Sequence, residues 1–180
     1  MEILSGCLKN DPVAQRMLFD TYYRQTFRTA MRYLANHHDV EDVVSVAYSK
    51  VFSRIHQFEY RGEGSLGKWI FTIVIHESIR FLKTKKEMVF HEDEALMAKS
   101  ISQPPPAGYL DMEEVAEILD DMPKGYRTVF NLYAIEGYSH KEVAEMLQIN
   151  ENTSKSQLSK ARNYIIQQLR INNHAVPRNR

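Results

Sequence analysis

The chain has 180 residues, with 23 Lys plus Arg against 23 Asp plus Glu and a net charge of zero. That length holds one medium domain or two small ones, and the even balance excludes a uniformly basic nucleic-acid coat. Cys7 is the only cysteine, which excludes an intrachain disulfide and a cysteine-built zinc site. No apolar run approaches the roughly 18 residues of a membrane span, and no basic-then-apolar signal pattern opens the chain, so a cytoplasmic protein without membrane insertion is expected.

Charge is distributed unevenly. Residues 50–86 and the stretch after Asn150 are each about five positive, while 87–121 is about nine negative. Two basic blocks separated by an acidic one suggest two surfaces for a polyanion, joined by a segment that avoids it.

Asp11-Pro12 marks a helix start, with aspartate as cap and proline at the first helical position, where its missing donor costs nothing. Val13, Met17, Leu18, Tyr22, Phe27, Met31 and Leu34 recur at helical spacing to about Ala35. Asn36, His37 and His38 break the pattern. Together with Asp39 and Asp42 they lack a third or fourth ligand at sensible spacing, so no metal is expected. Asp39 reads as the cap of the next helix, with Glu41 and Asp42 in its first turn. Val43, Val44, Ala47, Val51, Phe52 and Ile55 form its core face, and Glu41, Ser45, Tyr48, Ser49 and Lys50 lie largely outside it.

Residues 57–65 form a loop whose Ser65 is placed to cap a helix beginning at Leu66. Gly62 and Gly64 make no phosphate loop, because no G-K-[ST] follows. From 66 to about 86 the chain is apolar almost all round, with Leu66, Trp69, Ile70, Phe71, Ile73, Val74, Ile75, Ile79, Phe81 and Leu82. Such a helix must be buried on most sides or meet a partner. Ser65, Lys68, Thr72, His76 and Lys83 form a narrow polar seam with aromatics nearby, a combination suited to unstacked bases and their backbone. Trp69 reads first as a core residue and second as a stacking platform. His76-Glu77 is not a zinc-protease motif, because Arg80 stands where the second histidine belongs. His91-Glu92-Asp93-Glu94 reads as a solvated charge run. No catalytic constellation is present, so neither an enzyme nor a cofactor is expected.

Residues 87–109 are acidic, contain Pro104-Pro105-Pro106, and read as a flexible linker able to span several tens of ångströms at about 3 Å per residue. The apolar pattern resumes with Met112, Val115, Ile118 and Leu119. Pro123 opens a helix carrying Val129, Phe130, Leu132, Tyr133 and Ile135, which Gly137 ends. Ser139 and Glu142 have capping-box spacing, and Val143, Ala144 and Leu147 give the following helix an apolar face. Gln148, Ile149 and Asn150 form a tight connection, with Asn150 capping a longer helix, and this is a helix-turn-helix. On the longer helix Ser154, Leu158, Ala161, Ile165 and Leu169 share one side, while Asn152, Lys155, Ser156, Ser159, Lys160 and Asn163 occupy the other. That outer side has no carboxylate after Glu151 and suits a DNA groove. A solvated amphipathic helix would show the same periodicity.

The run M-P-K-G-Y-R-T-V-F-N-L-Y-A-I-E-G-Y-S-H-K-E-V-A-E-M-L-Q-I-N-E-N-T-S-K-S-Q-L-S-K-A-R, from Met122 to Arg162, closely resembles the promoter-reading region of bacterial sigma factors. Within the sigma-seventy family it is similar to the extracytoplasmic-function (ECF) group. The resemblance implies an all-α fold of two small helical domains, an N-terminal bundle (1–86) and a C-terminal helix-turn-helix domain (110–180), with the linker between. It implies partners too: RNA polymerase core, double-stranded and melted promoter DNA and, as a further candidate, an inhibitory anti-sigma protein. The upstream element would be met by Ser139, Lys141, Lys155, Ser156, Gln157, Ser159, Lys160 and Arg162. The melted downstream element would be met by Tyr60, Arg61, Ser65, Lys68, Trp69, Thr72 and His76. The helix carrying Glu41, Asp42, Ser45, Tyr48 and Ser49 resembles the segment that grips the polymerase clamp.

The chain departs from the family at Ser45 and Val46, where a polar and acidic pair is usual, and at Thr72 and His76, where arginine and asparagine are usual. Two other readings stand beside this one. A conventional dimeric helix-turn-helix regulator would bind its operator without polymerase, and an interaction protein descended from a sigma factor would not support transcription.

Overall fold

The computed structural model describes residues 2–85, 88, 90 and 112–175, with backbone alone for 112–116 and 172–175. Among the described residues every regular element is helical, and the chain divides into two compact units, Met1–Lys86 and Glu87–Arg180. The expected linker over 87–109 lies outside the described residues apart from Met88 and Phe90, and so does the charge run at His91.

The N-terminal unit comprises α1 (Glu2–Leu8), α2 (Pro12–Met31), α3 (His37–Arg54), a 3-10 turn (Ile55–Gln57) and α4 (Ser65–Thr84). Helices α2, α3 and α4 pack on one another, and α1 lies on α2 and on the 3-10 turn. The start of α2 follows from local chemistry, since the Val13 amide donates to Asp11 Oδ1 at 2.9 Å and Pro12 takes the first turn. Helix α1 was not legible in the sequence because its contact with α2 depends on an absent side chain. A Cβ on Gly6 would sit 2.4 Å from Ala14 Cβ.

Leu18, Val40, Val43, Val44, Ala47 and Val51 are buried against Ile70, Val74, Ile75, Ile79 and Leu82. Each of the Val, Leu and Ile side chains contributes about 1.5–3 kcal/mol on leaving water. Thus α4 resolves its all-round apolarity by turning one side into the core, while Leu66, Trp69, Phe71, Ile73 and Phe81 are half-buried. Glu77 also points inward, where its carboxylate accepts from Lys50 Nζ of α3 and lies 3.6 Å from Arg80 Nε.

Five local expectations are corrected. Helix α2 ends at Met31 rather than Ala35, and Val13 and Met17 are exposed because Ala14 and Leu18, one position on, face the core. Asn36, not Asp39, caps α3: its Oδ1 accepts from the His38 amide at 2.8 Å, leaving Asp39 to meet Lys85 Nζ at 2.9 Å. Ser65 does not cap α4. Gly64 does so with φ +76°, while the Ser65 hydroxyl donates to Gly62 O at 2.6 Å and accepts from the Arg61 amide at 3.2 Å, closing the loop. Tyr48 is buried, since it lies one turn from both Val44 and Val51 on the inner face of α3.

The C-terminal unit comprises α5 (Met112–Asp121), α6 (Lys124–Phe130) running into a π turn (Asn131–Ile135), α7 (His140–Leu147) and α8 (Glu151–Ala175). Helices α5, α6 and α7 all pack on α8. Pro123 stands at the cap of α6, and Gly137 leaves the π turn with φ +81°. The end of α5 is held from two helices: Arg127, only 1% exposed, donates to the carbonyls of Leu119 and Asp120 at 3.4 and 3.2 Å, and the Tyr164 hydroxyl donates to Asp121 O at 3.2 Å. His140 stacks on Tyr133 with ring centroids 4.3 Å apart, and its Nδ1 lies 2.9 Å from Ser154 Oγ on α8. Burial, then the charge of Lys155, pushes the His140 pKa below the ordinary imidazole value.

Two outcomes follow. Gly6→Ala is expected to destabilise the chain by about 1–3 kcal/mol through overpacking, measured by denaturant unfolding; an unchanged midpoint would show that α1 is dispensable to the bundle. His140 also makes stability depend on pH. Above about pH 6.5 the ring is neutral in both states, and below it the unfolded chain takes up a proton that the folded ring resists, so stability falls with falling pH until the lowered folded pKa is reached. Thermal unfolding at about pH 7.5 and about pH 5.5 is expected to show a smaller drop for His140→Asn than for the unaltered chain.

Candidate nucleic-acid interface

In the C-terminal unit, both halves of the capping box form. The Ser139 amide donates to Glu142 Oε2 at 2.7 Å, and the Glu142 amide donates back to Ser139 Oγ at 3.3 Å. The Ser139 hydroxyl, then its amide, holds the Glu142 carboxyl below the usual carboxylate range. Gln148 turns the chain with φ +59°, and the Ile149 amide returns to Ala144 O at 3.1 Å. Asn150 Oδ1 then accepts from the Thr153 amide at 2.6 Å and its hydroxyl at 2.9 Å. Two helices are thereby fixed at a tight corner by side chains within three residues of each helix start.

The inner face of α8 buries Thr153, Ser154, Gln157, Leu158, Ala161 and Leu169, on the side where α7 contributes Val143, Ala144 and Leu147. Gln157 is therefore corrected as a DNA contact. It sits three residues after Ser154 and four before Ala161, which places it on the packed side. It is fully buried, and neither amide atom has a hydrogen-bond partner. The outward face keeps the remaining candidates: Lys155 and Arg162 are exposed, and Ser156, Ser159 and Lys160 are half-buried, while Ser139 and Lys141 are exposed at the start of α7. Lys155 Nζ meets Glu151 Oε1 at 2.7 Å, and Lys160 Nζ lies 5.9 Å from the centre of the Tyr126 ring. Ser156 Oγ donates to Thr153 O at 3.0 Å.

In the N-terminal unit, the loop before α4 and the first turns of that helix enclose a groove of about 570 Å³ lined by Phe58, Glu59, Arg61, Ser65, Lys68 and Trp69, among others. Trp69 is neither fully core nor free. It is half-buried, and its ring lies 5.5 Å from that of Phe58. Tyr60 is exposed, and Arg61 pairs with Glu59 at 3.0 Å. Along α4, Lys68 and His76 are exposed, and the half-buried Thr72 donates back to Lys68 O at 2.9 Å. Partial burial lowers the His76 pKa, so the neutral ring is favoured.

On α3, Glu41, Asp42, Ser45 and Ser49 are exposed together. Tyr48 is not with them: its ring lies 4.7 Å from that of Phe19, and its hydroxyl is 3.4 Å from Thr26 Oγ1. It forms the floor of a groove of about 330 Å³ beside Glu41, Ser45 and Ser49, whose other walls are Phe19, Tyr23, Val44 and Phe52. Sequence reasoning missed Phe19 and Tyr23 because they come from α2, and nothing in their spacing points to α3. It also passed over a second groove of about 450 Å³, where Val46 of α3 faces Arg80, Phe81 and Thr84 of α4. The signal for that groove was an apolar residue, Val46, in the polar face of α3.

Among the described residues no group of His, Cys, Asp or Glu side chains could hold a metal ion, and no helix is long and apolar enough to cross a membrane.

These two surfaces coincide with two matched family models. The model for Sigma-70 region 2 matches residues 18–87, and that for Sigma-70 region 4 matches residues 112–165. Among curated relatives, the RNA polymerase sigma factor SigV of Bacillus subtilis is 29% identical over 142 residues, covering 78% of this chain and 82% of the relative. The ECF RNA polymerase sigma factor SigM of the same organism is 23% identical, covering 81% and 88%, and the ECF RNA polymerase sigma-E factor of Escherichia coli is 25% identical, covering 87% of each. The fold is similar to that of the sigma factor RpoE in complex with the anti-sigma factor NepR from Bartonella quintana, with a TM-score of 0.54 and 22% identity over 87% of this chain and 96% of that one. It is also similar to CnrH in complex with the cytosolic domain of CnrY, with a TM-score of 0.50 and 18% identity over 94% and 96%. With region 2 on the N-terminal bundle and region 4 on the helix-turn-helix, in that order, the chain belongs to the sigma-70 family, in its extracytoplasmic-function group.

Proposed function

We propose that this chain confers promoter specificity on RNA polymerase core and assists promoter opening. In this reading residues 1–86 dock on polymerase and hold the downstream element, 87–109 connect, and 110–180 read the upstream duplex. The observation behind it is the angular division of α8, which buries its aliphatic side and leaves Lys155, Ser156, Ser159, Lys160 and Arg162 on the other. Sigma factors act as initiation factors rather than enzymes, and the proposed site of action is the cytoplasm.

Lys155, Ser156, Ser159 and Lys160 would enter the major groove, with Arg162, Lys141 and the start of α7 nearer the phosphates. The Glu151–Lys155 pair is no obstacle, because an exposed ion pair is worth only about 0–1 kcal/mol and the ammonium keeps further N–H donors for a DNA contact. In the N-terminal unit, Arg61 and Lys68 would meet the backbone at the groove rim, while Tyr60 and Trp69 offer aromatic faces and Ser65, Thr72 and His76 line the approach. Polymerase would be met by Glu41, Asp42, Ser45 and Ser49, with Tyr48 acting from beneath as support. An anti-sigma protein is a further proposed partner, by analogy with the NepR and CnrY complexes. A dimeric regulator is the less favoured reading, since it does not account for a region 2 match over residues 18–87.

Run-off transcription with polymerase core on genomic fragments tests the proposal, and transcription as unselective with the chain as without it would refute it. Lys160→Ala is expected to weaken upstream binding by about 1–3 kcal/mol, whereas Gln157→Leu, which removes a buried unpartnered amide, leaves recognition intact. Loss of recognition in a folded Gln157→Leu chain would restore that residue to the interface. Because the net charge is zero, the chain alone is expected to bind promoter DNA at least about 100-fold more weakly than it does with polymerase, as read by titration at fixed salt.

A further inference from the structure

Glu151 is the sole carboxylate in the sequence of α8, and it stands in the first turn. Recognition helices meet base edges through their N-terminal residues, so this carboxylate occupies a place where a negative charge is costly near phosphates. It is half-exposed, its partner Lys155 is likewise half-exposed, and their charged atoms are 2.7 Å apart. The hydrogen bond and charge of Lys155, with a smaller contribution from Lys141 on the neighbouring helix, hold the Glu151 carboxyl below the usual carboxylate range. A side-by-side acceptor and donor at this spacing match the major-groove edge of a base pair. There an amino donor and a carbonyl acceptor are joined by their own hydrogen bond of about 2.9 Å.

We propose that Glu151 is a specificity-determining residue: with Lys155 it reads one C·G base pair of the upstream element, the carboxylate accepting from cytosine N4 and the ammonium donating to guanine O6 or N7. This rests on the assignment of α8 as the helix in the major groove. The chemistry selects both identity and orientation of the pair. In the reversed pair the carboxylate would face guanine acceptors and the ammonium a cytosine amino group, two repulsions in place of two hydrogen bonds. An A·T pair in the favoured orientation also offers an amino group beside a carbonyl, but thymine presents one acceptor flanked by a methyl group where guanine presents two acceptors. The expected order is C·G, then A·T, then the reversed pairs. A carboxylate retained only to complement the helix dipole would produce no such order.

The test is selection of promoter fragments, randomised across the upstream element, by polymerase core reconstituted with the full-length chain, followed by sequencing of bound DNA. The unaltered chain is expected to favour C·G at one position by roughly tenfold or more over the reversed pair. Glu151→Ala is expected to flatten that position alone. Glu151→Gln is expected to shift it toward A·T, because an amide pairs with the N6 and N7 of adenine. Enrichment with the unaltered chain that persists at every position in Glu151→Ala, or a uniform rise in affinity without change of preference, would overturn the inference while leaving the promoter reading intact. No enrichment at all with the unaltered chain would overturn both.

Discussion

The structure of the C-terminal unit depends on one constraint, which is that α8 has a side that must be covered. Leu158, Ala161 and Leu169 are buried together with Val143 and Leu147 of α7 and Val129 and Leu132 of the α6 segment. Burial of aliphatic groups is the dominant favourable term here, and it is non-directional. Direction comes from the capping groups. Ser139, Glu142 and Asn150 fix where α7 and α8 begin, and Ser154 engages His140 across the pair. Once that side is closed, a helix of 3.6 residues per turn has no freedom left in which residues it presents outward. The outward set is thus a by-product of packing, and Lys155, Lys160 and Arg162 are held to it by residues on the packed side.

The N-terminal unit solves a different problem. Its α4 is apolar beyond what α2 and α3 can bury, so a row of half-buried aromatics, Trp69, Phe71 and Phe81, remains at the margin of the core. Within the core, the Glu77 carboxylate meets Lys50 and lies beside Arg80. Removing a partner from such a group costs far more than the pair contributes when intact, which makes the contact a lock on the α3–α4 register rather than a source of net stability. The consequence for function is positional. Both the acidic edge of α3 and the groove at the start of α4 are carried on helices that cannot slide past each other without unpairing a buried charge.

What could be read in the sequence was chemistry acting over three or four residues. Asp11 with Pro12, Ser139 with Glu142, and Asn150 each declare a helix start because donor and acceptor lie within one turn. The failures have a common cause. Asn36 outcompeted Asp39 as a cap because Lys85, 46 residues away, claims the aspartate. Ser65 lost the cap to Gly64 because the loop's own amide and carbonyl bind its hydroxyl. Tyr48 and Gln157 look polar and outward by residue type, but Val44 and Val51 around the one, and Ser154 and Ala161 around the other, set the face. Helix α1 rests on Gly6, where the informative feature is a missing atom.

The zero net charge and the paired cations lead to the same energetic conclusion. Lys155 already pairs with Glu151 and Arg61 with Glu59, so in the proposed reading meeting DNA partly exchanges one set of charged contacts for another instead of creating only new ones. Such exchanges yield little affinity, because exposed pairs are worth little to begin with. They yield discrimination more readily, since a wrong base leaves the exchanged groups unpaired. Two weak but discriminating surfaces on one chain gain strength only when something else raises their local concentration, and an intramolecular second contact does this without any added interaction energy. A polymerase subunit is placed to supply that, and a freely diffusing regulator is not. In this light the electrostatic neutrality of the chain is a device against binding DNA at the wrong time.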